Sequence, residues 1–85
     1  MSIGDVKNQV QQGMEYSNEA SGMLEGVRSK IEEAMNAVNA ATQETSNPLP
    51  GEQISLYQTA FEQLEEAART LQEGNTRGEE FNSSI

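Results

Sequence analysis

The sequence predicts an all-α fold in which two antiparallel helices form a hairpin. Two proline-free segments are rich in Glu, Gln, Ala, Met and Leu, and each carries apolar residues at alternating spacings of three and four. Between them, at 46–51, two prolines and a glycine lie within four residues and cannot continue a helix. No stretch alternates apolar and polar residues with Val, Ile and Thr enrichment, so we expect no strands.

The first helix is predicted over about 2–45. Ser2 and Asp5 have the spacing of a capping box, which places the start of the helix near Ser2. An apolar stripe runs along the whole segment at heptad spacing, and its small residues would let a facing helix approach closely. The stripe comprises Ile3, Val6, Val10, Gly13, Ser17, Ala20, Leu24, Val27, Ile31, Ala34, Val38 and Ala41.

The second helix is predicted over about 52–80, after a turn at 46–51. The predicted turn contains Leu49, Pro50 and Gly51. The stripe of this helix comprises Tyr57, Ala60, Phe61, Leu64, Ala67, Ala68 and Leu71. The sequence allows two positions for the end of this helix. Gly74 and Asn75 could form a C-cap, or the helix could continue to about Glu80, because the three-four spacing of apolar residues continues beyond Gly74. A mobile tail is expected up to residue 85.

Composition narrows the possible functions. The chain has 85 residues, which is enough for one small domain, and it contains no Cys, His or Trp. Five Lys and Arg residues against 14 Asp and Glu residues produce a net charge of -9. We therefore expect no nucleic-acid binding by a basic surface and no adhesion to anionic membranes, since both need clustered cations. No apolar stretch is long enough to span a membrane.

The residue types also argue against catalysis. Without His or Cys, acid–base and nucleophilic chemistry would depend on carboxylates, hydroxyls, Tyr and two Lys residues, and no motif groups them into a site. The usual zinc and iron ligands are missing as well, and no nucleotide-binding or EF-hand motif is present. We expect a non-enzymatic protein with no cofactor and no metal.

The two predicted helices differ in length, which points to a partner. The first would outrun the second by about four turns at 1.5 Å per residue, leaving Ile3, Val6 and Val10 without a facing helix. A second copy of the chain, or a different helical protein, would cover these residues and complete a four-helix bundle. Fraying of the first turns is the alternative.

The segment Leu49-Pro50-Gly51 between two long helices carries a resemblance to a known family. A small, Cys-free helical hairpin of this length resembles the WXG-type substrates of type VII secretion, which have Trp-x-Gly in the turn where this chain has Leu-x-Gly. The family's export signal, a Tyr followed four residues later by an acid, is absent, since Tyr57 is followed by Phe61 and Phe81 by Ile85.

The resemblance implies a secretion substrate or its pairing partner. It would be packed through a seam formed by Ile3, Val6, Val10, Leu24, Val27, Ile31, Val38, Tyr57, Phe61, Leu64 and Leu71. Two alternatives belong to other classes: an acidic phage-type decoy that blocks a basic nucleic-acid-binding groove, and a plain coiled-coil oligomeriser. The first twenty residues lack the regions of a signal peptide, so we expect a cytoplasmic protein, with export without a cleavable signal as the alternative.

Overall fold

The computed structural model describes all 85 residues as two long α-helices joined by a short connection. Helix α1 spans Ile3–Ala41 and helix α2 spans Leu49–Ser84. The helices lie side by side in antiparallel directions and form a rod 65 Å long and 15 Å across. The predicted all-α helical hairpin is confirmed.

The start of α1 agrees with the capping-box prediction. The Ser2 side chain accepts a hydrogen bond from the backbone N–H of Asp5 at 3.1 Å, and the Asp5 carboxylate accepts one from the Ser2 N–H at 3.3 Å. Two backbone donors of the first turn, which have no partner within the helix, are satisfied in this way.

The connection between the helices lies earlier in the chain than predicted. Helix α1 ends at Ala41, where the Thr42 hydroxyl donates a hydrogen bond to the carbonyl of Val38 at 2.6 Å. Helix α2 already begins at Leu49, whose N–H donates to the Asn47 side chain at 2.9 Å. Leu49, Pro50 and Gly51 therefore form the first turn of α2 and not a turn between helices. Proline is compatible with a first helical turn because the N–H it lacks would be unpaired there.

The far end of α2 also differs from the prediction, because no mobile tail begins at Gly74 or Glu80. The helix continues to Ser84, and the Asn82 amide reaches the carbonyl of Lys7 at 3.1 Å. With 39 and 36 residues the two helices are nearly equal in length, so the expected overhang of α1 is wrong. Contacts with α1 stabilise a segment whose own sequence is polar and contains Gly78.

The contact between the helices encloses very little. Only Met14 and Asn75 are buried, at 8% and 6% exposure. The other residues of the seam are half-buried or exposed. Two helices cover each other along one line only, so the sides of the seam stay open to solvent. The hairpin is thus half of the layered arrangement that usually encloses a helical core.

Candidate interaction surface

The residues of α1 that face α2 follow one continuous inner row. They repeat every seven residues in two series, and all of them are half-buried or buried. The inner row of α1 comprises Val10, Met14, Ser17, Ser21, Leu24, Arg28, Ile31, Met35, Val38 and Thr42. The inner row of α2 comprises Ile54, Tyr57, Phe61, Leu64, Ala68, Leu71, Asn75, Gly78 and Asn82.

The predicted seam overlaps with this inner row but is not identical to it. Its α2 members all lie in the inner row, and so do four of its α1 members: Val10, Leu24, Ile31 and Val38. Val6 is half-buried beside the row, whereas Ile3 and Val27 are 62% and 46% exposed. Ile3 and Val27 are therefore not core residues of the hairpin.

For Val6 and Val27 the difference arises from one of the two heptad series, whereas Ile3 belongs to the series of Val10 and is exposed because it is the first residue of α1. The predicted series that contains Val6, Ala20 and Val27 lies one residue before the true series, which contains Ser21 and Arg28. One residue of an α-helix is a rotation of about 100°, so the predicted series points out of the hairpin, roughly a quarter turn from the direction of α2. Ser21 and Arg28 were missed because they are polar, and only the identical spacing of Met14 and Met35 could have indicated them.

Arg28 is accommodated between the helices by an aromatic ring and two carboxylates. Its guanidinium lies 4.9 Å from the centre of the Phe61 ring, in cation–π geometry. It is 2.9 Å from the Glu25 carboxylate and 3.8 Å from that of Glu65 on α2. The side chain is only 23% exposed, so its aliphatic stem contributes to the packing while its charge reaches the surface.

Asparagines form a second polar contact nearer the open end of the hairpin. The Asn75 side chain donates a hydrogen bond to the Asn18 side chain at 2.8 Å, and Asn82 donates to the backbone of Lys7. The Arg28–Glu65 contact lies along the same edge of the seam. This edge is therefore polar, and it brings together the Glu- and Gln-rich sides of both helices.

The opposite edge of the seam brings together the apolar sides of the helices. In an antiparallel pair of helices, a row that flanks the seam on one helix lies beside the equivalent row of the other helix. The series of Val27 on α1 and the series of Ala67 on α2 therefore lie on the same face of the hairpin. We define the apolar face as Val6, Gly13, Ala20, Val27, Ala34, Ala41, Ala60, Ala67, Gly74 and Phe81, with the flanking residues Tyr16, Met23, Ala37, Leu49 and Leu56.

Exposed apolar side chains are concentrated on this apolar face. Six of the nine large apolar residues that are exposed belong to it: Tyr16, Met23, Val27, Leu49, Leu56 and Phe81. Met23 and Leu56 are each 71% exposed, and the three exposed residues outside the face lie at the chain ends. A contiguous apolar surface of this kind is typical of a protein-interaction site.

The acidic residues avoid the apolar face. None of the 14 acids lies on it, although the chain as a whole has a net charge of -9. The only charged residues within its bounds are Lys30 and Arg77, alongside uncharged polar residues such as Gln63 and Thr70. The acids of both helices occupy the polar edge and the outer sides of the helices, which border the apolar face.

Both cations are paired with acids beyond the border of the face. Lys30 lies 2.8 Å from the Glu33 carboxylate and Arg77 lies 2.9 Å from that of Glu80. A hydrogen bond to Glu33 and its negative charge raise the pKa of Lys30 above the ordinary value. These pairings direct both cationic heads toward the outer sides of the helices, which leaves the middle of the apolar face uncharged.

No other feature of the hairpin suggests a chemical site. The one surface depression lies along α2 alone and is lined by Thr70, Glu73, Gly74, Thr76 and Arg77, none of which is hydrophobic. No cluster of three potential metal ligands is present. Neither helix combines the length and the apolar character needed to cross a membrane.

Comparisons with known proteins add no relative. No protein-family model, no curated protein and no solved structure matches the chain. The surface of the hairpin is therefore the feature of this chain that bears on its function.

Proposed function

We propose that this chain is a non-enzymatic interaction module that binds a helical partner through the apolar face. The observation that supports the proposal is the absence of every acid from a face that collects most of the exposed large apolar side chains. A solvated helix surface in a chain with a net charge of -9 has no reason to be arranged in this way.

The energy available from covering this face is comparable to the cost of forming a complex. Burial of a large apolar side chain contributes roughly 1.5–3 kcal/mol, so six such residues, already partly covered, contribute on the order of 10 kcal/mol. Association costs about 4–15 kcal/mol in lost freedom, which the half-buried residues of the open seam help to offset. A partner that lies along the full rod would cover all six residues and gain more of this energy than a short peptide would.

Site-specific photo-crosslinking in the native host tests the proposal. A photoreactive residue at position 23 or 56, on the apolar face, should form covalent adducts with a protein partner. The same residue at position 29, which is exposed on the opposite side of α1, serves as the control and should form none. If positions 23 and 56 yield no more adduct than position 29, the apolar face is not an interaction site.

Among interaction modules, we propose the class of WXG-like proteins of type VII secretion. The hairpin of two helices with 39 and 36 residues supports it, because the resemblance implies this architecture. The chain departs from the family in that Leu49-Pro50-Gly51 begins α2 and the export signal is absent. The test compares the amount of this protein in the culture medium of the host with and without its type VII secretion ATPase. An amount that does not change would exclude the substrate role.

The acidic side of the hairpin supports one second candidate, a decoy for a basic nucleic-acid-binding groove. Salt separates the two functions, because surface charges are screened beyond about 8–10 Å at physiological ionic strength. Binding through the acidic side should weaken steeply as salt rises, whereas binding through the apolar face should not. A partner whose affinity is unchanged between low and high salt would exclude the decoy.

A further inference from the structure

The seam between the helices changes in composition along its length. We define the terminal half of the seam as the inner-row residues that lie before Leu24 on α1 and after Leu71 on α2. They are Val10, Met14, Ser17, Ser21, Asn75, Gly78 and Asn82. Val10 and Met14 are the only apolar side chains among them, whereas the other half contains leucines, isoleucines and two aromatic residues. The packing of the terminal half therefore depends on very few side chains.

Met14 is the side chain on which this half depends most. It is the only buried apolar residue of the hairpin, at 8% exposure. Its side chain lies so close to Gly78 that a Cβ atom at that position would be 3.0 Å from the sulfur and 3.2 Å from Cγ. In a closely packed contact of this kind, there is no space for an added atom between the sulfur and α2.

Polar groups make the terminal half easier to open than the rest of the seam. The Ser17 hydroxyl and the side-chain carbonyl of Asn82 are shielded from solvent and have no hydrogen-bond partner. In the other half the only such atom is Nε of Arg28, whose guanidinium packs on an aromatic ring. Unpaired polar groups lower the stability of a packed region, so local opening of the terminal half exposes Met14 to reagents in solution.

We propose that Met14 is an oxidation site, and that its conversion to methionine sulfoxide separates the two helices in the terminal half of the seam. The oxidant is a peroxide. The sulfur attacks one oxygen of hydrogen peroxide, the O–O bond breaks, and the proton of the transferred oxygen passes to the leaving hydroxide to form water. The thioether is thereby oxidised to a sulfoxide and the peroxide is reduced.

The sulfoxide no longer fits the seam, for two reasons. It is polar, and burying a polar group without a hydrogen bond is unfavourable. It also carries an extra oxygen on a sulfur that already lies against Gly78. Methionine sulfoxide reductases restore the thioether, so the separation is reversible. This inference concerns the seam and is independent of the function proposed for the apolar face.

The other methionines occupy different environments and act as internal controls. Met1 and Met23 are 87% and 71% exposed, so their oxidation adds an oxygen where solvent already reaches the side chain. Met35 belongs to the inner row, but it lies in the half with the larger apolar residues, and no glycine approaches its side chain. Only at Met14 does the added oxygen meet a closely packed backbone.

Peroxide treatment followed by amide hydrogen exchange tests the inference, with mass spectrometry to locate the sulfoxides. After oxidation of Met14, amides of residues 6–18 and 75–82 should exchange roughly ten- to a hundredfold faster, which is the effect of burying one unpaired polar group. Amides of residues 28–38 and 54–64 should change little. Treatment with methionine sulfoxide reductases should restore the original rates.

Three variants assign the response to Met14. Met14→Leu keeps an apolar side chain of similar volume without the sulfur, so peroxide should leave its exchange unchanged although Met23 is oxidised. The matched control, Met23→Leu, should respond like the natural sequence. Met14→Gln introduces a polar side chain of similar length that peroxide does not oxidise, and it should show the faster exchange without any oxidant.

Four results would overturn the inference. The first is unchanged exchange in protein whose Met14 is fully oxidised, and the second is equal acceleration in both halves of the seam. The third is the same acceleration in Met14→Leu, because another methionine would then be responsible. The fourth is oxidation of Met1, Met23 and Met35 with Met14 left intact, because the terminal half would then not open to the oxidant.

Discussion

The Asn75 side chain lies 2.8 Å from that of Asn18, and this is the only hydrogen bond between side chains of the two helices. Asn75 is also one of only two buried residues in the hairpin, at 6% exposure. A buried polar side chain between two helices is stable only where its partner is opposite, so it favours one alignment of the helices over slipped ones. The pair therefore helps to set the register of α2 against α1.

Replacing Asn75 should cost more than replacing an asparagine on the surface. We expect Asn75→Ala to be less stable than Asn36→Ala by about 1–2 kcal/mol, because only the first removes a part-buried hydrogen bond between the helices. Asn36 is exposed on α1, so its substitution controls for the change in helix propensity. Urea unfolding of both variants at one protein concentration measures the difference. Equal midpoints would mean that the Asn18–Asn75 contact does not stabilise the hairpin.

Gly78 is the glycine at which α2 approaches a side chain of α1 most closely. A Cβ atom at this position would lie 3.0 Å from the Met14 sulfur, whereas one at Gly22 would have nothing within 4 Å. Alanine in place of a mid-helix glycine normally stabilises by roughly 0.5–1 kcal/mol. We expect this gain for Gly22→Ala and a smaller gain or a loss for Gly78→Ala.

A double-mutant cycle identifies the cause of that difference. In a Met14→Ala background the obstructing sulfur is absent, so Gly78→Ala should regain the full benefit seen at Gly22. Thermal unfolding of the four variants supplies the coupling energy. No coupling between positions 14 and 78 would contradict the observed approach of the helices.

Substitutions at Ile31 and Val27 distinguish the two surfaces of α1, because Ile31 belongs to the inner row and Val27 to the apolar face. Ile31→Asp should unfold the hairpin, because it puts a charge into the seam at a cost of several kcal/mol in a marginally stable chain. Val27→Asp should leave the helical circular-dichroism signal intact, and Glu32→Lys should change stability by less than about half a kcal/mol. If Val27→Asp unfolds the chain as readily as Ile31→Asp does, the assignment of the rows is wrong.

The end of α2 should stabilise the beginning of α1. Removing residues 75–85 deletes the contacts of Asn75, Gly78 and Asn82 with α1. Amide hydrogens of residues 6–18 should then exchange faster, since that part of α1 loses its facing helix. Removing only residues 84–85 is the control and should leave their exchange unchanged. If removal of residues 75–85 leaves the amide exchange of residues 6–18 unchanged, the end of α2 does not pack on α1 and is a mobile tail, as the sequence predicted.

Local sequence features were sufficient to predict the helices and several of their contacts. The capping box of Ser2 and Asp5 is formed by neighbours in the chain, so its prediction needed no tertiary information. The heptad series that contains Val10, Leu24 and Ile31 was also assigned to the seam from its spacing and apolar character. Both features depend on backbone geometry within one helix, which a sequence records directly.

The tertiary structure decided which side of the apolar stripe faces α2 and where α2 begins and ends. The stripe of α1 is wide enough to supply two faces, and only the presence of α2 shows that Arg28 faces it while Val27 points away. Likewise, the polar sequence around Gly78 is helical because Met14 and Lys7 lie opposite. These outcomes depend on residues that are 33 or more positions apart in the chain, and the energy of such contacts exists only once the helices have packed.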